Sequence, residues 1–599
     1  MVNKAGAISG VAAGWVRNSL LQWLIWAAGL SWLTGPIFDK ELRVSSRRRR
    51  NYVLRFLYVA FFTALMSLFW WDIVARSTTS LYQISRMAEA GRYIIMAVVW
   101  FQFIASQAVA IVMLSTSISD EIYHRTLGVL MTTPIGSLQI VLGKLLSKLL
   151  QMVLLLAITL PLLAVVRVFG GVPWDFLVAS LSVTMTTILF VASLSLFFSI
   201  FTRRAYAAII VTVLTLAMLF ALLPFIVAFL IHDIISISGG AFLDLLTYVN
   251  PYVLMAKASD AMMSAGSMRF VSWPIHVAIM SGVSLFLLLL SAVLVRKAAL
   301  RQAAGQSGLW SSRGKSLEDP ARTGRIRRVV GSPVLWKERR TPLLGRRKLG
   351  MIVAILAALG LLGTTYVLCA KEGMLTDPDV HATYIVIFLL LGMLFTAVLP
   401  ATCITSEKES QTWPLLLTTA ISDWQIVWGK FLGVLRRCLP AWLFLLGHVT
   451  LFALAGIIHP VGALQLGILV TWVIFFLSGA GLYFSTRFRH TTTAVIANVA
   501  LAAGLWAVFP LVLGIVLAIV EVRGDLLEAY IDMNPVVQAV VITAATSRSG
   551  GLTSYDWIQG GISDVGEATG WILLTFVLYV VVGLAFIARA GAHVRRNPL

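Results

Sequence analysis

The sequence contains few charged residues and almost no cysteine. Asp, Glu, Lys and Arg make up 12% of the 599 residues, whereas hydrophobic residues make up 59%. A composition this apolar excludes an ordinary soluble globular protein. The three cysteines, Cys369, Cys403 and Cys438, lie at or near apolar segments and lack the spacing of metal ligands. We therefore predict neither a disulfide framework nor a metal site.

Catalytic and nucleotide-binding motifs are also lacking. Residues 308–316 and 136–144 imitate a phosphate-binding loop, but five and six residues separate their glycines, where four are needed. The sequence has no paired carboxylates, metal-spaced His/Cys sets or nucleophile elbow. We predict that the chain is not an enzyme and carries no cofactor of its own.

What the sequence does contain is a series of long apolar segments. Each has about 20 residues, enough for a helix to cross a hydrocarbon core of ~30 Å. They lie near residues 56–75, 93–115, 145–168, 174–200, 207–231, 273–295, 350–370, 383–403, 438–457, 462–484, 493–519 and 570–588. The sequence therefore predicts an all-α polytopic membrane protein with about 12 transmembrane helices.

A shorter apolar piece precedes these segments, at residues 20–33 within the region 11–33. Its tryptophans, Trp23, Trp26 and Trp32, favour a helix that lies along the bilayer surface. The alternative is a further span that would place the N-terminus outside, and the sequence leaves this choice open.

The net charge of +21 is distributed unevenly. Basic residues cluster in alternate connections between the apolar segments, and the intervening connections are mixed or acidic. This positive-inside pattern predicts an inner-membrane protein with both termini and the central linker in the cytoplasm. It also favours contacts with anionic membrane lipids over nucleic acid as the reason for the charge.

One stretch of sequence occurs twice. Residues 118–144 and 404–430 align without a gap and are identical at 12 of 27 positions. Pro36 with Lys40-Glu41 matches Pro333 with Lys337-Glu338, and Asn250-Pro251 matches Asn534-Pro535. Such an internal duplication predicts two copies of one membrane unit. Because six spans is an even number, the two six-helix repeats should be parallel.

These matches define three predicted regions. Residues 1–295 should form a first six-helix half, residues 296–331 a basic cytoplasmic linker, and residues 332–599 a second six-helix half. Each half begins with a short segment that precedes its first span.

The repeated segment is a polar loop between two spans. The apolar residues between 118 and 131 predict one amphipathic helix, with Glu121 and Arg125 as a favourable pair four residues apart. Thr132-Thr133-Pro134 should end this helix, and Lys144 should anchor the next span at the lipid interface. Such a helix could simply rest on lipid. Retention of the same Glu, Thr-Thr and Gly-Lys in both copies favours a protein partner instead.

These loops resemble the loop after the second span of type-2 ABC exporter permeases, and the Lys-Glu-Leu-Arg at 40–43 resembles their N-terminal elbow helix. The resemblance implies six helices per half, with the second and fifth spans lining the path. It also implies two separate ABC ATPase subunits, which would bind ATP and magnesium and receive the loop helices. By this resemblance the coupling contacts are Glu121, Arg125, Thr126, Glu407 and Thr412, and the elbow helices contain Lys40, Glu41, Lys337 and Glu338.

The second loop departs from the pattern. Gln411 stands in place of Arg125, and Trp413-Pro414 in place of Leu127-Gly128. We expect Pro414 to shorten or kink the second loop helix. With Ala420 in place of Pro134, a softer helix end is expected too, so the two halves should dock their ATPase subunits unequally.

Two other functions stay open. An ion- or proton-coupled secondary transporter also has two related halves, but it normally needs acidic residues inside its spans, which this sequence lacks. A non-transporting scaffold would instead pass ATP-driven movement to an external accessory protein, for which the long external segments 232–270 and 520–567 offer contacts. The apolar path predicted here does not indicate a substrate.

Overall fold

The computed structural model describes residues 36–41, 43, 56, 63, 80–123, 126–170, 172–202, 205–224, 226–227, 239–264, 272–303, 331–340, 348–520, 525–547, 553–558 and 562–595. These residues are overwhelmingly helical, as predicted, and their one sheet is a two-residue antiparallel pair, β1 (Tyr555–Asp556) with β2 (Ile562–Ser563). Contacts divide the chain into two compact units. Residues 80–220 and 239–303 belong to the first, and residues 331–595 to the second.

Besides the helical residues 36–41, the first unit contains nine described helices. They are α1 (Ser80–Ser115), α2 (Ser119–Tyr123), α3 (Leu127–Met131), α4 (Ser137–Gly170), α5 (Trp174–Phe201), α6 (Ala205–Ala217), α7 (Gly239–Val249), α8 (Pro251–Met263) and α9 (Trp273–Ala303). A π-helical turn, Met218–Leu222, continues α6. Buried polar pairs join the long helices: Gln102 of α1 donates to Thr159 of α4 at 3.0 Å, and Ser195 of α5 donates to the Ile111 carbonyl at 2.9 Å.

The second unit repeats this order. Its helices are α10 (Pro333–Arg340), α11 (Lys348–Lys371), α12 (Pro378–Thr402), α13 (Thr405–Glu409), α14 (Trp413–Leu417), α15 (Asp423–Leu454), α16 (Pro460–Arg487), α17 (Thr491–Ala503), α18 (Phe509–Val520), α19 (Asp525–Asp532), α20 (Pro535–Thr546) and α21 (Val565–His593). A π-helical turn, Gly504–Val508, joins α17 to α18. Glycine allows close helix packing here: a Cβ on Gly479 of α16 would lie 2.4 Å from the Gly583 carbonyl oxygen of α21.

Most predicted spans correspond to a helix. Nine described helices are long and apolar enough to cross a membrane, and shorter apolar helices occupy Tyr206–Leu222 and Leu356–Lys371. The predicted first span, apart from Phe56 and Thr63, lies outside the described residues, as do residues 11–33 and most of the linker.

In the second unit, the elements predicted to be cytoplasmic lie at one end of the helices. Arg595, just after α21, pairs with Asp423 at the start of α15 at 2.6 Å. The His459 amide, in the connection at the far end of α15, donates to the Thr546 carbonyl at 2.8 Å. The repeated loop and the end of α21 are therefore neighbours, and the connection from α15 to α16 lies at the opposite end.

Candidate coupling site at the repeated loops

Each repeated loop forms two short helices instead of one. In the first loop α2 is followed by α3, and in the second α13 is followed by α14. The amides of Thr126 and Thr412 reach back five residues, to the carbonyls of Glu121 and Glu407, both at 3.0 Å. The prediction of a single helix over residues 118–131 is therefore wrong, because this wide turn interrupts the α-helical pattern. Arg125 lies outside the described residues, so its pair with Glu121 stays a prediction.

Pro414 does not kink the second loop relative to the first. It occupies the first turn of α14, where an amide hydrogen is not needed, and α3 and α14 each have five residues. The interruption precedes the proline in the second copy and occurs in the first copy without one. Its common feature is the threonine, Thr126 or Thr412, that follows the wide turn.

The softer end expected for the second loop helix stays a prediction. Helices α3 and α14 end at matched positions, Met131 and Leu417. In both copies the two threonines that follow, Thr132-Thr133 and Thr418-Thr419, donate their hydroxyls to the carbonyls three residues earlier. The repeated Thr-Thr pair therefore makes the same hydrogen bonds at the end of both helices, whether Pro134 or Ala420 follows.

A buried network of charges joins three elements of the second unit. Lys430 of α15 lies 2.7 Å from Glu338 of α10 and 2.8 Å from Glu407 of α13. Lys337 of α10 approaches Glu407 at 2.8 Å, and Arg437 pairs with Glu338. The Lys430 side chain is only 1% exposed. The network joins the elbow helix α10, the loop helix α13 and the following span α15.

Two glycines let α10 approach α15 closely enough for this network. A Cβ on Gly429 would lie 2.9 Å from Cβ of Val334, and a Cβ on Gly433 would lie 2.5 Å from Cβ of Glu338. The repeated Gly-Lys pair thus has two roles in the second half. The glycine leaves room for the elbow helix α10, and the lysine bridges Glu338 of that helix to Glu407 of the loop.

The first unit has a related arrangement. Lys144 of α4 pairs with Glu121 at 2.9 Å and donates to the Ser117 carbonyl at 2.6 Å, while Lys148 lies 3.5 Å from Glu41. Burial alone would raise the pKa of Glu121, but Lys144, the Thr126 hydroxyl and Lys40 bring that pKa below its usual value. Both repeated lysines are buried, so the prediction that Lys144 anchors its helix at the lipid interface is wrong.

The second loop has further attachments. The Ser485 hydroxyl of α16 accepts from the amides of Ile404 and Thr405, at 2.9 and 3.0 Å. The Glu409 carboxylate accepts from the amide and the hydroxyl of Thr491, both at 2.7 Å, and Lys408 donates to the Thr486 carbonyl. The first loop has isoleucine and tyrosine at the positions of Lys408 and Glu409, which cannot form the same charged contacts.

Each loop exposes one large apolar side chain among threonines. Val129 and Leu415 occupy the same repeat position and are 67% and 68% exposed, and Thr126 and Thr412 are exposed beside them. The predicted site residues thus separate into two groups. Glu121, Glu407, Glu41, Lys337 and Glu338 form ion pairs within the chain, whereas the two threonines face outward; Lys40 is exposed on the elbow segment 36–41. Sequence reasoning missed Val129 and Leu415, although a matched apolar pair in a polar loop was a usable signal.

Duplicated helical halves, with nine described helices long and apolar enough to cross a bilayer, define a polytopic membrane protein. A comparison with protein families supports this class. The family described as ABC-2 family transporter protein matches the chain twice, over residues 36–300 and 299–587. The chain therefore belongs to the ABC-2 transporter family, with two tandem permease halves in one polypeptide. A search of curated protein sequences finds no significant match.

Proposed function

We propose that this chain carries both membrane halves of an ATP-driven exporter, in which two separate ATPase subunits each bind one repeated loop. ATP and magnesium would be bound by those subunits. Membership in the ABC-2 family supports a permease with an ATPase partner. The observation that carries ATP coupling is the matched pair Val129 and Leu415, each exposed on the second short helix of a loop whose first short helix is ion-paired to the next span.

The geometry suggests how force would pass into the membrane. An ATPase subunit would contact Val129 with Thr126, or Leu415 with Thr412, and also Arg125 in the first half. Glu121 and Glu407 would act as positioning residues, because their carboxylates join the loops to Lys144 and Lys430 on the next spans. A displaced loop would then move α4 or α15 with it, and the halves would alternate between inward- and outward-open states.

The proposed orientation places both repeated loops and both termini in the cytoplasm, with the protein in the inner membrane. The basic residues in alternate connections between the spans support this orientation. The Arg595–Asp423 pair supports it for the C-terminus, since it sets the chain end beside the second loop. Residues 1–295 and 332–599 would then be the two permease halves, with 296–331 as their linker.

Co-purification from the native host tests the proposal. The wild-type chain should bring down an ATPase, and the conservative Val129→Ile/Leu415→Ile variant should do the same. The Val129→Asp/Leu415→Asp variant should lose it while keeping its thermal stability, because both side chains are exposed. An ATPase that stays bound to the aspartate variant, or no ATPase with the wild type, would refute the proposal.

A proton-coupled carrier remains the second candidate because of one observation. Tyr366, His448 and His381 form a buried chain: the Tyr366 hydroxyl lies 2.5 Å from His448 Nδ1, His448 Nε2 lies 3.4 Å from His381 Nδ1, and His381 Nε2 lies 2.8 Å from the Leu375 carbonyl. Transport in vesicles that follows a proton gradient without ATP, and that His448→Asn abolishes, would favour this candidate.

A further inference from the structure

The fifth span of each half contains a π-helical turn at the same repeat position. The turns are Met218–Leu222 and Gly504–Val508, separated by the same 286 residues as the two loops. Single π-turns inside helices are uncommon and often mark functional positions. Their duplication here calls for a common cause in the sequence.

The cause is a proline just beyond each turn. In an α-helix, the carbonyl of Phe220 would accept from the amide at 224 and that of Trp506 from the amide at 510. Both positions are proline, Pro224 and Pro510. A proline has no amide hydrogen, and its ring crowds the carbonyl four residues before it. Each fifth span is therefore distorted at one carbonyl that lacks its α-helical donor.

An asparagine from the next external segment supplies that donor. Asn250 Nδ2 donates to the Phe220 carbonyl, and Asn534 Nδ2 donates to the Trp506 carbonyl, both at 2.7 Å. The other side-chain atom of each asparagine caps the helix that follows: Oδ1 accepts from the Tyr252 amide or the Val536 amide, both at 3.0 Å. The repeated Asn-Pro thus begins α8 or α20, and the same asparagine side chain also hydrogen-bonds to the fifth span.

The surroundings of the two carbonyls are also alike. Phe220 packs edge-on against Phe190 at 5.7 Å, and Trp506 packs at the same distance against Phe476, which is the repeat counterpart of Phe190. The second half has one more donor, because the Tyr530 hydroxyl of α19 donates to the Leu505 carbonyl at 2.7 Å.

We infer that the proline-induced distortion makes each fifth span a hinge, and that the side-chain hydrogen bond from Asn250 or Asn534 to the freed carbonyl, which we call the latch, holds this hinge. The latch couples bending of the fifth span to the external helix α8 or α20. A carbonyl freed inside the membrane must find a donor, so the hinge and the external helix are held together as one element. Release of the latch would let the outer part of the span move separately. The role in transport rests on the proposed function, in which the fifth spans line the path; the latch itself does not.

The chain offers a selective way to test this. Asn534→Ser keeps a side-chain oxygen that can cap α20 but removes the amide donor. Pro510→Ala restores a backbone amide to the Trp506 carbonyl, which makes the latch dispensable. The variants are compared in full-length protein in lipid nanodiscs, with spin labels on cysteines at Ile496 and Val516. These positions flank the hinge and are 39% and 38% exposed. The native Cys369, Cys403 and Cys438 are replaced beforehand.

The inference predicts a pattern across the wild type and four variants. Asn534→Ser should lower the unfolding midpoint and broaden the distance distribution between the labels. Asn534→Ser/Pro510→Ala should recover the midpoint and give a distribution narrower than wild type, since an uninterrupted helix replaces the hinge. As a control, Asn498→Ser removes another buried amide donor from the same span, and Pro510→Ala should not rescue it.

The same distance distribution in wild type and Asn534→Ser, or equal rescue of Asn498→Ser by Pro510→Ala, would overturn the latch. If Asn534→Ser cannot be purified, Pro510→Ala alone must still narrow the distribution of distances between the two labels. A distance distribution unchanged from that of the wild type would count against the hinge. None of these measurements requires an ATPase, so failure of the proposed function would be seen separately, as absence of a co-purifying subunit.

Discussion

Lys430 lies 2.8 Å from Glu407, and this contact joins the second repeated loop to the span that follows it. Its counterpart in the first half, Lys144 with Glu121, has almost the same length, 2.9 Å. The two halves thus retain an ion pair between loop and span, although most other residues of the loops have diverged. The predictions below begin with this link.

Removal of the Lys430 charge should destabilise the second half. Lys430→Met leaves Glu338 and Glu407 buried with one cation fewer each, although Arg437 and Lys337 still reach them. Loss of one partner from a buried ion pair costs about 3 kcal/mol of unfolding free energy. Chemical unfolding of the purified chain measures this cost. Adding Glu407→Gln to Lys430→Met should recover part of it, and a double variant less stable than the single one would contradict the network.

Gly433 should tolerate no side chain, because a Cβ there would lie 2.5 Å from Cβ of Glu338. Gly433→Ala must displace α10 and should cost about 1–3 kcal/mol. Gly447 lies in the same helix, and a Cβ added there would meet nothing within 4 Å, so Gly447→Ala should be neutral or stabilising by up to ~1 kcal/mol. Equal unfolding midpoints for the two variants would mean that α10 does not pack on α15 as described.

The two loops should differ in local stability. The second is held by Ser485, Glu409 and Lys408, and the first lacks the two charged side chains. Amide hydrogen exchange should therefore be slower over residues 405–409 than over residues 119–123. Glu409→Gln should raise exchange in the second loop and leave the first unchanged. Faster exchange in the second loop of the wild type would contradict the assignment.

The first loop should respond to acid through Glu121. Its folded-state pKa lies below the ordinary value of 4.5, so the stabilisation from its pair with Lys144 is complete above that value and is lost as pH falls through the folded pKa. Protection of residues 119–131 from proteolysis should therefore be constant from neutral pH to about pH 5 and decline below. Glu121→Gln should lack the protection even at neutral pH; protection that instead declines towards alkaline pH would contradict this sign.

Much of the fold followed from the sequence because hydrophobic length is a strong signal in a membrane protein. The apolar segments predicted eleven described helices, nine long and two shorter, and the alignment of the loops identified the duplication. The interruption at Thr126 and Thr412 could not be predicted, since an apolar face has the same spacing in one helix or two. The burial of Lys430 could not be predicted either, because only the fold brings Glu338 from 92 residues away to its ammonium group.

The Asn-Pro repeat shows a different limit of prediction from the sequence. Its position was visible in the sequence, but its partner was not, because the carbonyl that Pro510 leaves without a donor lies in a different helix from Asn534. Asn534 reaches that carbonyl across 28 residues. A proline near the end of each fifth span, followed by Asn-Pro in the next external segment, was a usable pattern in retrospect.

Site-specific photocrosslinking tests the central claim most directly. A photoreactive phenylalanine analogue at position 129 or 415 should crosslink the chain to an ATPase subunit in native membranes, because both side chains face outward from the loops. The same analogue at Met374, which is 41% exposed before the start of α12 and away from the loop end, should give no such product. ATPase adducts at 129 and 415 alone are the predicted result. Adducts at 374, or none at 129 and 415 while an ATPase co-purifies, would contradict the account.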